Sequence, residues 1–323
     1  FYGRAMKFLP LIAAFAAFAA FVGMAPAEAF VPISKSTSAT TTYHKIEVGG
    51  VGVFYREAGP PNAPVIVLLH GFPTSSRMFE TLIPLLAPSY HIIAPDYPGF
   101  GQSDAPPPSQ YQYSFEKIAN TIDALLTQLK IDRYSLYLQD YGGPVGFRML
   151  QMHPERLQAL IIQNANAYDE GLGEKWKRIA SYWKEPKSFP DVPETFMSPA
   201  AVKLRHVGGS EHPDLYDPSV WNDEIKFLVQ PGQREIQEAL LYDYRNNVAA
   251  YPAWQEWLRV HQPKMLVVWG RNDSSFIVPG AMAYRRDVPA AGIHILDAGH
   301  FALDEKVDEI AGLITAFMQK IAH

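Results

Sequence analysis

Three residues in this 323-residue sequence combine types and places that could do chemistry. Asp140 ends the apolar run "YSLYLQD", and "YGGPVGFRMLQMHPE" after it begins as a helix, so the aspartate sits on a sharp turn between the two. Gly142 and Gly143 keep that turn uncrowded. Asp273, in "GRND", follows the run "KMLVVWG", and His300 closes "GIHILDAGH". Both therefore fall at the carboxyl ends of strands, where open α/β sheets place their sites. An imidazole beside a carboxylate can take a proton from water, because the carboxylate fixes its tautomer and stabilises the imidazolium. Singly, an aspartate before glycines is an ordinary turn residue and a histidine is ordinarily just solvated. The ordered placement of all three is what points to a site.

The elements that must position them are legible as apolar runs bounded by turn residues. "PVIVLLHG" at 64–71, "HIIAPDYPG" at 91–99, "YSLYLQD" at 134–140, "ALIIQN" at 159–164, "KMLVVWG" at 264–270 and "GIHILDAGH" at 292–300 are strand candidates. Their unbroken hydrophobicity suits strands buried on both faces, hence a parallel sheet. Between them, "SFEKIANTIDALLTQL" at 114–129 sets Ile118, Ile122, Leu125, Leu126 and Leu129 at helical spacing. The rhythm is βαβ and the predicted class is α/β. It breaks between 167 and 250, where helical patterns and scattered prolines replace strands. That stretch is expected to be a helical cap inserted after the sixth strand, leaving 43–166 and 251–323 as the core.

"HGFPTSS" at 70–76, "PDYPGFGQSD" at 95–104, the turn at Asp140, "GRND" at 270–273 and "DAGHFALDE" at 297–305 follow one another in a recognisable order. They resemble the α/β-hydrolase superfamily, in the branch that carries aspartate instead of serine at its nucleophile elbow. The resemblance covers nearly all the chain after residue 43. It implies a mostly parallel sheet flanked by helices, with an inserted helical cap. It also implies Asp140 as nucleophile, Asp273 as orienting acid and His300 as base, with the amides of Phe72 and Tyr141 as oxyanion donors. A carboxylate attacking an ester carbonyl would give an anhydride, whereas attack on an sp³ carbon bearing a leaving group gives an alkyl ester that water can hydrolyse. His70 is expected to hold the oxyanion loop. Ser103 is not expected to react, because Ala105 stands where a glycine would be needed.

Two families of that branch differ in how the leaving atom is held. Epoxide hydrolases protonate the oxygen from cap tyrosines, and Tyr244 in "YDYRNN" resembles the second of these. The place of the first is taken by Ile179, with Tyr182 or Tyr168 as substitutes. Haloalkane dehalogenases hold halide with indoles, one of them directly after the nucleophile, where this sequence has Tyr141; Phe72 stands where one dehalogenase group has Asn. Leu138, Gln139 and "PTSS" are nonetheless similar to dehalogenases, and Trp176 and Trp183 could line a halide site. A related fluoroacetate dehalogenase family also has a tyrosine like Tyr244. The expectation is an epoxide hydrolase giving a vicinal diol. A haloalkane or haloacid dehalogenase is the alternative, and a non-catalytic small-molecule-binding protein on the same fold is the alternative of another class.

A net charge of −5 without a basic run argues against nucleic-acid partners, and the absence of cysteine removes disulfides and thiol lipidation. The expected partner is a small apolar electrophile, with no cofactor and no metal; oligomeric state is not set by the sequence. Lys7, the run "FLPLIAAFAAFAAFVGM" and the small residues Ala27 and Ala29 read as a cleavable secretory signal over 1–29, followed by a Ser/Thr-rich leader over 30–42. The implied location is secreted or periplasmic, without stable membrane association after cleavage. An uncleaved membrane anchor is the rival reading.

Overall fold

A computed structural model describes Gly3 and residues 40–321; the expected signal and the leader up to residue 39 lie outside them. The apolar runs form one sheet of eight strands: β1 Thr42–Val48, β2 Val51–Ala58, β3 Val65–Leu69, β4 His91–Pro95, β5 Tyr134–Gln139, β6 Leu157–Gln163, β7 Met265–Gly270 and β8 Gly292–Leu296. Their spatial order is β1-β2-β4-β3-β5-β6-β7-β8. β2 pairs antiparallel with both its neighbours, and every other pairing is parallel. The β1–β2 hairpin is the part the apolar runs did not announce. β1 is largely exposed and alternates polar with apolar residues, as an edge strand does.

Among the described residues ten α-helices accompany the sheet: α1 Ile83–Leu86, α2 Phe115–Gln128, α3 Gly142–Met152, α4 Lys175–Lys184, α5 Asp191–Met197, α6 Pro199–Val207, α7 Ser219–Leu228, α8 Gln233–His261, α9 Val278–Asp287 and α10 Leu303–Ile321. Ser114 caps α2 by accepting from the Lys117 amide, and the helix buries Ile118, Ile122, Leu125 and Leu126. α2, α3 and α9 share one apolar cluster on one face of the sheet, while α1 and α10 pack in a second cluster on the other. Helices α4 to α8 occupy the segment between β6 and β7. α8 does not stop at residue 250, where the core was expected to resume, but continues through Pro252 to His261. Tyr251, Trp254 and Leu258 are buried on that stretch, and Trp254 stacks on Phe147 of α3 at 5.0 Å. This packing outweighs the hydrogen bond that a proline removes from a helix.

Candidate active site

The turn after β5 is made by Asp140 itself, whose φ of 46° lies in the left-handed region. Aspartate tolerates that conformation better than most residues. The next step needs a glycine: a Cβ at Gly142 would collide with the Leu69 carbonyl on the neighbouring strand. The chain therefore reverses tightly into α3 and leaves the Asp140 carboxylate, 7% exposed, at the carboxyl edge of the sheet.

Two loops bring its partners. Asp273 follows β7, where its Oδ1 accepts from the Ser275 amide at 2.6 Å and its Oδ2 from Asn164 Nδ2 at 2.9 Å. His300 follows β8 and donates from Nδ1 to Asp273 Oδ2 at 2.7 Å. That bond leaves Nε2 facing Asp140 Oδ2 at 3.5 Å and Gln139 Nε2 at 3.3 Å. The other Asp140 oxygen, Oδ1, accepts from the Phe72 amide at 2.8 Å, and the Tyr141 amide also bonds this carboxylate. Asp140, Asp273 and His300 thus meet, and the two amides read as oxyanion donors both bond the Asp140 carboxylate.

Burial and charge act differently on the two carboxylates. Burial raises Asp140 above the ordinary carboxylate range, although His300, the two amides and Arg205 pull it back. At Asp273, burial is overcome by the charge and hydrogen bond of His300, so its carboxyl is held below the usual range. A carboxyl held in its ionised form beside an imidazole favours the protonated ring. His70 is pushed down to about 4, chiefly by burial. Its Nε2 accepts from the Tyr97 amide at 3.2 Å and its Nδ1 donates to the Gly71 carbonyl at 3.0 Å, tying the Phe72 loop to the loop after β4. Ser103 donates to the Asp96 carbonyl at 2.7 Å and accepts from the Phe54 amide at 2.9 Å, far from any reactive role.

The cap residues divide. Tyr244 is fully buried, 5.9 Å from the Tyr141 ring and 4.6 Å from Trp176, and the hydroxyl beside its own is that of Tyr251, the two interacting as a loose hydrogen bond outside strict geometry. Its ionisation is raised by burial first, then by Tyr251 and Asp140. Trp176 and Trp183 flank it, but their indole N–H groups already donate to the carbonyls of Ser275 at 2.9 Å and Leu241 at 2.8 Å. Both indoles, read as able to line a halide site, thus have their N–H groups engaged by carbonyls in this arrangement. Tyr182 packs against Tyr242, with ring centroids 6.1 Å apart. The other substitute, Tyr168, donates to Asp287 Oδ2 at 2.7 Å.

The sequence pattern of the alpha/beta hydrolase fold family matches residues 64–307, which include all three site residues. The chain belongs to the α/β-hydrolase fold family. An uncharacterized hydrolase of Saccharomyces cerevisiae is 44% identical over 275 residues, covering 83% of this chain and 94% of that protein. A haloalkane dehalogenase of Psychrobacter cryohalolentis is 27% identical over 276 residues, covering 82% of this chain and 87% of its own. In structure, the haloalkane dehalogenase DbeA from Bradyrhizobium elkani superposes with a TM-score of 0.70 at 21% identity, covering 88% of this chain and 99% of that one, which is a likeness of fold.

In this α/β-hydrolase several site residues carried no sequence signal of their own. Asn164 holds both Asp273 and the Gly270 amide, the latter through Oδ1 at 2.9 Å. Tyr251 lies two turns beyond Tyr244 on α8, a spacing that puts both on one face. Arg205 and Lys175 line a cavity that also reaches His300 and Asp273. Their helices read as charged surface segments until they are folded over the sheet.

Proposed function

We infer that this hydrolase opens an alkyl electrophile by forming an ester on Asp140. The observation that carries the reading is the split environment of that carboxylate: Oδ1 rests on the Phe72 amide while Oδ2 points at His300 Nε2. Oδ2 attacks the saturated carbon and the leaving group departs with the electron pair of the broken bond. Oδ1 becomes the carbonyl oxygen of the ester, already seated on the Phe72 amide. His300 Nε2 then takes a proton from water, the hydroxide adds to the ester carbon, and collapse releases an alcohol that recovers the proton.

The leaving group favoured by the cap is an epoxide oxygen, which needs a proton donor as the ring opens. Tyr244 has a buried O–H engaged only loosely, with the Tyr251 hydroxyl, whereas the two nearby indoles are firmly occupied by carbonyls. Halide release is the second reading, supported by the Psychrobacter relative that bears the name haloalkane dehalogenase.

His300→Ala separates the two. Without its base the variant should still alkylate Asp140 but not hydrolyse the ester, so the intermediate accumulates. The Asp140 peptide should gain the full mass of an epoxide, or the alkyl mass without halogen from a haloalkane. A turnover-competent wild type whose His300→Ala form carries no adduct on Asp140 would refute the ester.

A further inference from the structure

The cavity beside the triad carries two cations that the ester chemistry does not use. Arg205 of α6 is buried; its guanidinium carbon stands 4.9 Å from the Phe72 ring centroid and 4.5 Å from that of Phe196. Its Nη2 donates to the Phe196 carbonyl at 2.8 Å, but Nη1 is buried with no partner at all. Lys175, the first residue of α4, is half-buried and its Nζ reaches Ser275 Oγ. Among the described residues no carboxylate lies within 4.0 Å of either cation. Burial first, and then the Arg205 charge, bring Lys175 down to about 8, so the molecule bears a real cost for keeping both there.

One explanation is that the cations merely offset Asp140 and Asp273. Those carboxylates, however, already have close partners in the two amides, Asn164, Ser275 and His300. The offset also fails during the reaction. Once Asp140 is an ester it carries no charge, and two cations then face Asp273 alone. An anionic substituent on the substrate restores the balance in that intermediate. A guanidinium with a free edge matches a planar carboxylate, which accepts two parallel N–H bonds.

Resting on the ester chemistry above, we propose that the substrate carries a carboxylate near its electrophilic carbon, received by Arg205 and Lys175. A cavity of about 270 Å³ suits a compact epoxy acid or halo acid of a few carbons. The substrate is then not the apolar electrophile that the sequence suggested.

The test compares glycidate with glycidamide, and 2-chloropropanoate with 2-chloropropanamide, on the full chain. The acid of the reactive pair should exceed its amide by about 100-fold in kcat/KM, the scale of two charge-assisted contacts. In Arg205→Gln that ratio should fall by at least about tenfold. Should Arg205→Gln lose its cooperative thermal transition, Lys175→Met at the half-buried cation carries the same comparison. Wild type that turns over the amide as fast as the acid overturns the carboxylate assignment and leaves the ester mechanism standing. A compound that wild type turns over but that leaves no Asp140 adduct in His300→Ala overturns the ester mechanism itself, and failure of wild type to turn over either acid overturns the carboxylate assignment. Unreactive anions separate the remaining source of negative charge: propanoate should inhibit at least about tenfold more tightly than propanamide. Chloride inhibiting as well as propanoate would assign the cations to a departing halide and overturn the proposal.

Discussion

The core side and the cap side of the site differ in how their polar atoms are partnered. At the sheet edge each oxygen and nitrogen of Asp140, Asp273 and His300 has a neighbour in place, from the Phe72 amide to Asn164. In the cap Arg205 Nη1 is buried and unpartnered, and Tyr244 Oη has only a loose partner in Tyr251. A buried polar group left without a partner costs about 1–3 kcal/mol, so natural folds keep few of them. The triad itself is therefore organised before substrate arrives, although Gln139 Oε1 and Tyr141 Oη next to it are unpartnered too, and the cap holds donors whose partners come with the substrate. Stability is drawn from the first region and selectivity from the second.

The largest effect belongs to the core. Asp140→Ala removes the atom that forms the covalent bond, and turnover should drop by at least about 10⁴-fold, since orientation and binding alone cannot replace a nucleophile. Steady-state rates on a responsive substrate give the measurement. A loss of only tenfold would move the chemistry to the cap and collapse the contrast.

One part of the cap is as well partnered as the core, and it tests whether partnering or location matters. His206 of α6 bonds Glu224 of α7 from Nε2 at 2.9 Å and Asp304 at the start of α10 from Nδ1 at 2.8 Å, while stacking on Phe301 at 4.2 Å. Burial opposes its charge, but the two carboxylates win and raise it to about 9. Because the folded value lies above the free value of 6.5, this stabilisation is complete below that pH and is lost as pH rises through about 9. His206→Leu leaves two carboxylates facing each other and should cost about 3–5 kcal/mol in urea unfolding at neutral pH. The loss of stability on going from pH 7 to 10 should be smaller in the variant than in wild type. An equal loss in both would assign the alkaline transition to other groups.

How much of this was legible in the sequence follows the same division. Asp140, Asp273 and His300 could be found because each ends or follows a mainly apolar run, and those runs became strands, two of them buried inside the sheet and the third at its edge. His70 and Ser103 could be set aside on local grounds. The cap resisted because its side chains meet partners distant in sequence. Trp176 and Trp183 looked free as donors, yet Ser275 and Leu241 supply the carbonyls that occupy them. Arg205, in "PAAVKLRHV", has the look of a solvated helical face until Phe72 and Phe196 close around it. The helix α8 runs past the cap bound set at 250 because Trp254 and Leu258 have a surface to bury against, which only the folded chain shows.

The smallest effect asks whether a loosely partnered cap donor acts in the reaction or merely fills space. Tyr244→Phe deletes one oxygen whose only neighbour of that kind is the Tyr251 hydroxyl, so the melting temperature should fall little, less than the loss expected from cutting a well-formed buried bond. Ring packing against Trp176, Tyr141 and Phe115 is kept. If the hydroxyl protonates an epoxide oxygen as Asp140 attacks, single-turnover alkylation should slow by about 10²-fold, because an alkoxide without a donor leaves poorly. A halide needs no proton, so alkylation by a matched haloalkane should slow much less. Measuring both in the His300→Ala background isolates alkylation from hydrolysis. Equal slowing of both substrates would make Tyr244 a general anion donor, and an unchanged epoxide rate would remove it from the mechanism and leave its buried hydroxyl as a packing residue's burden.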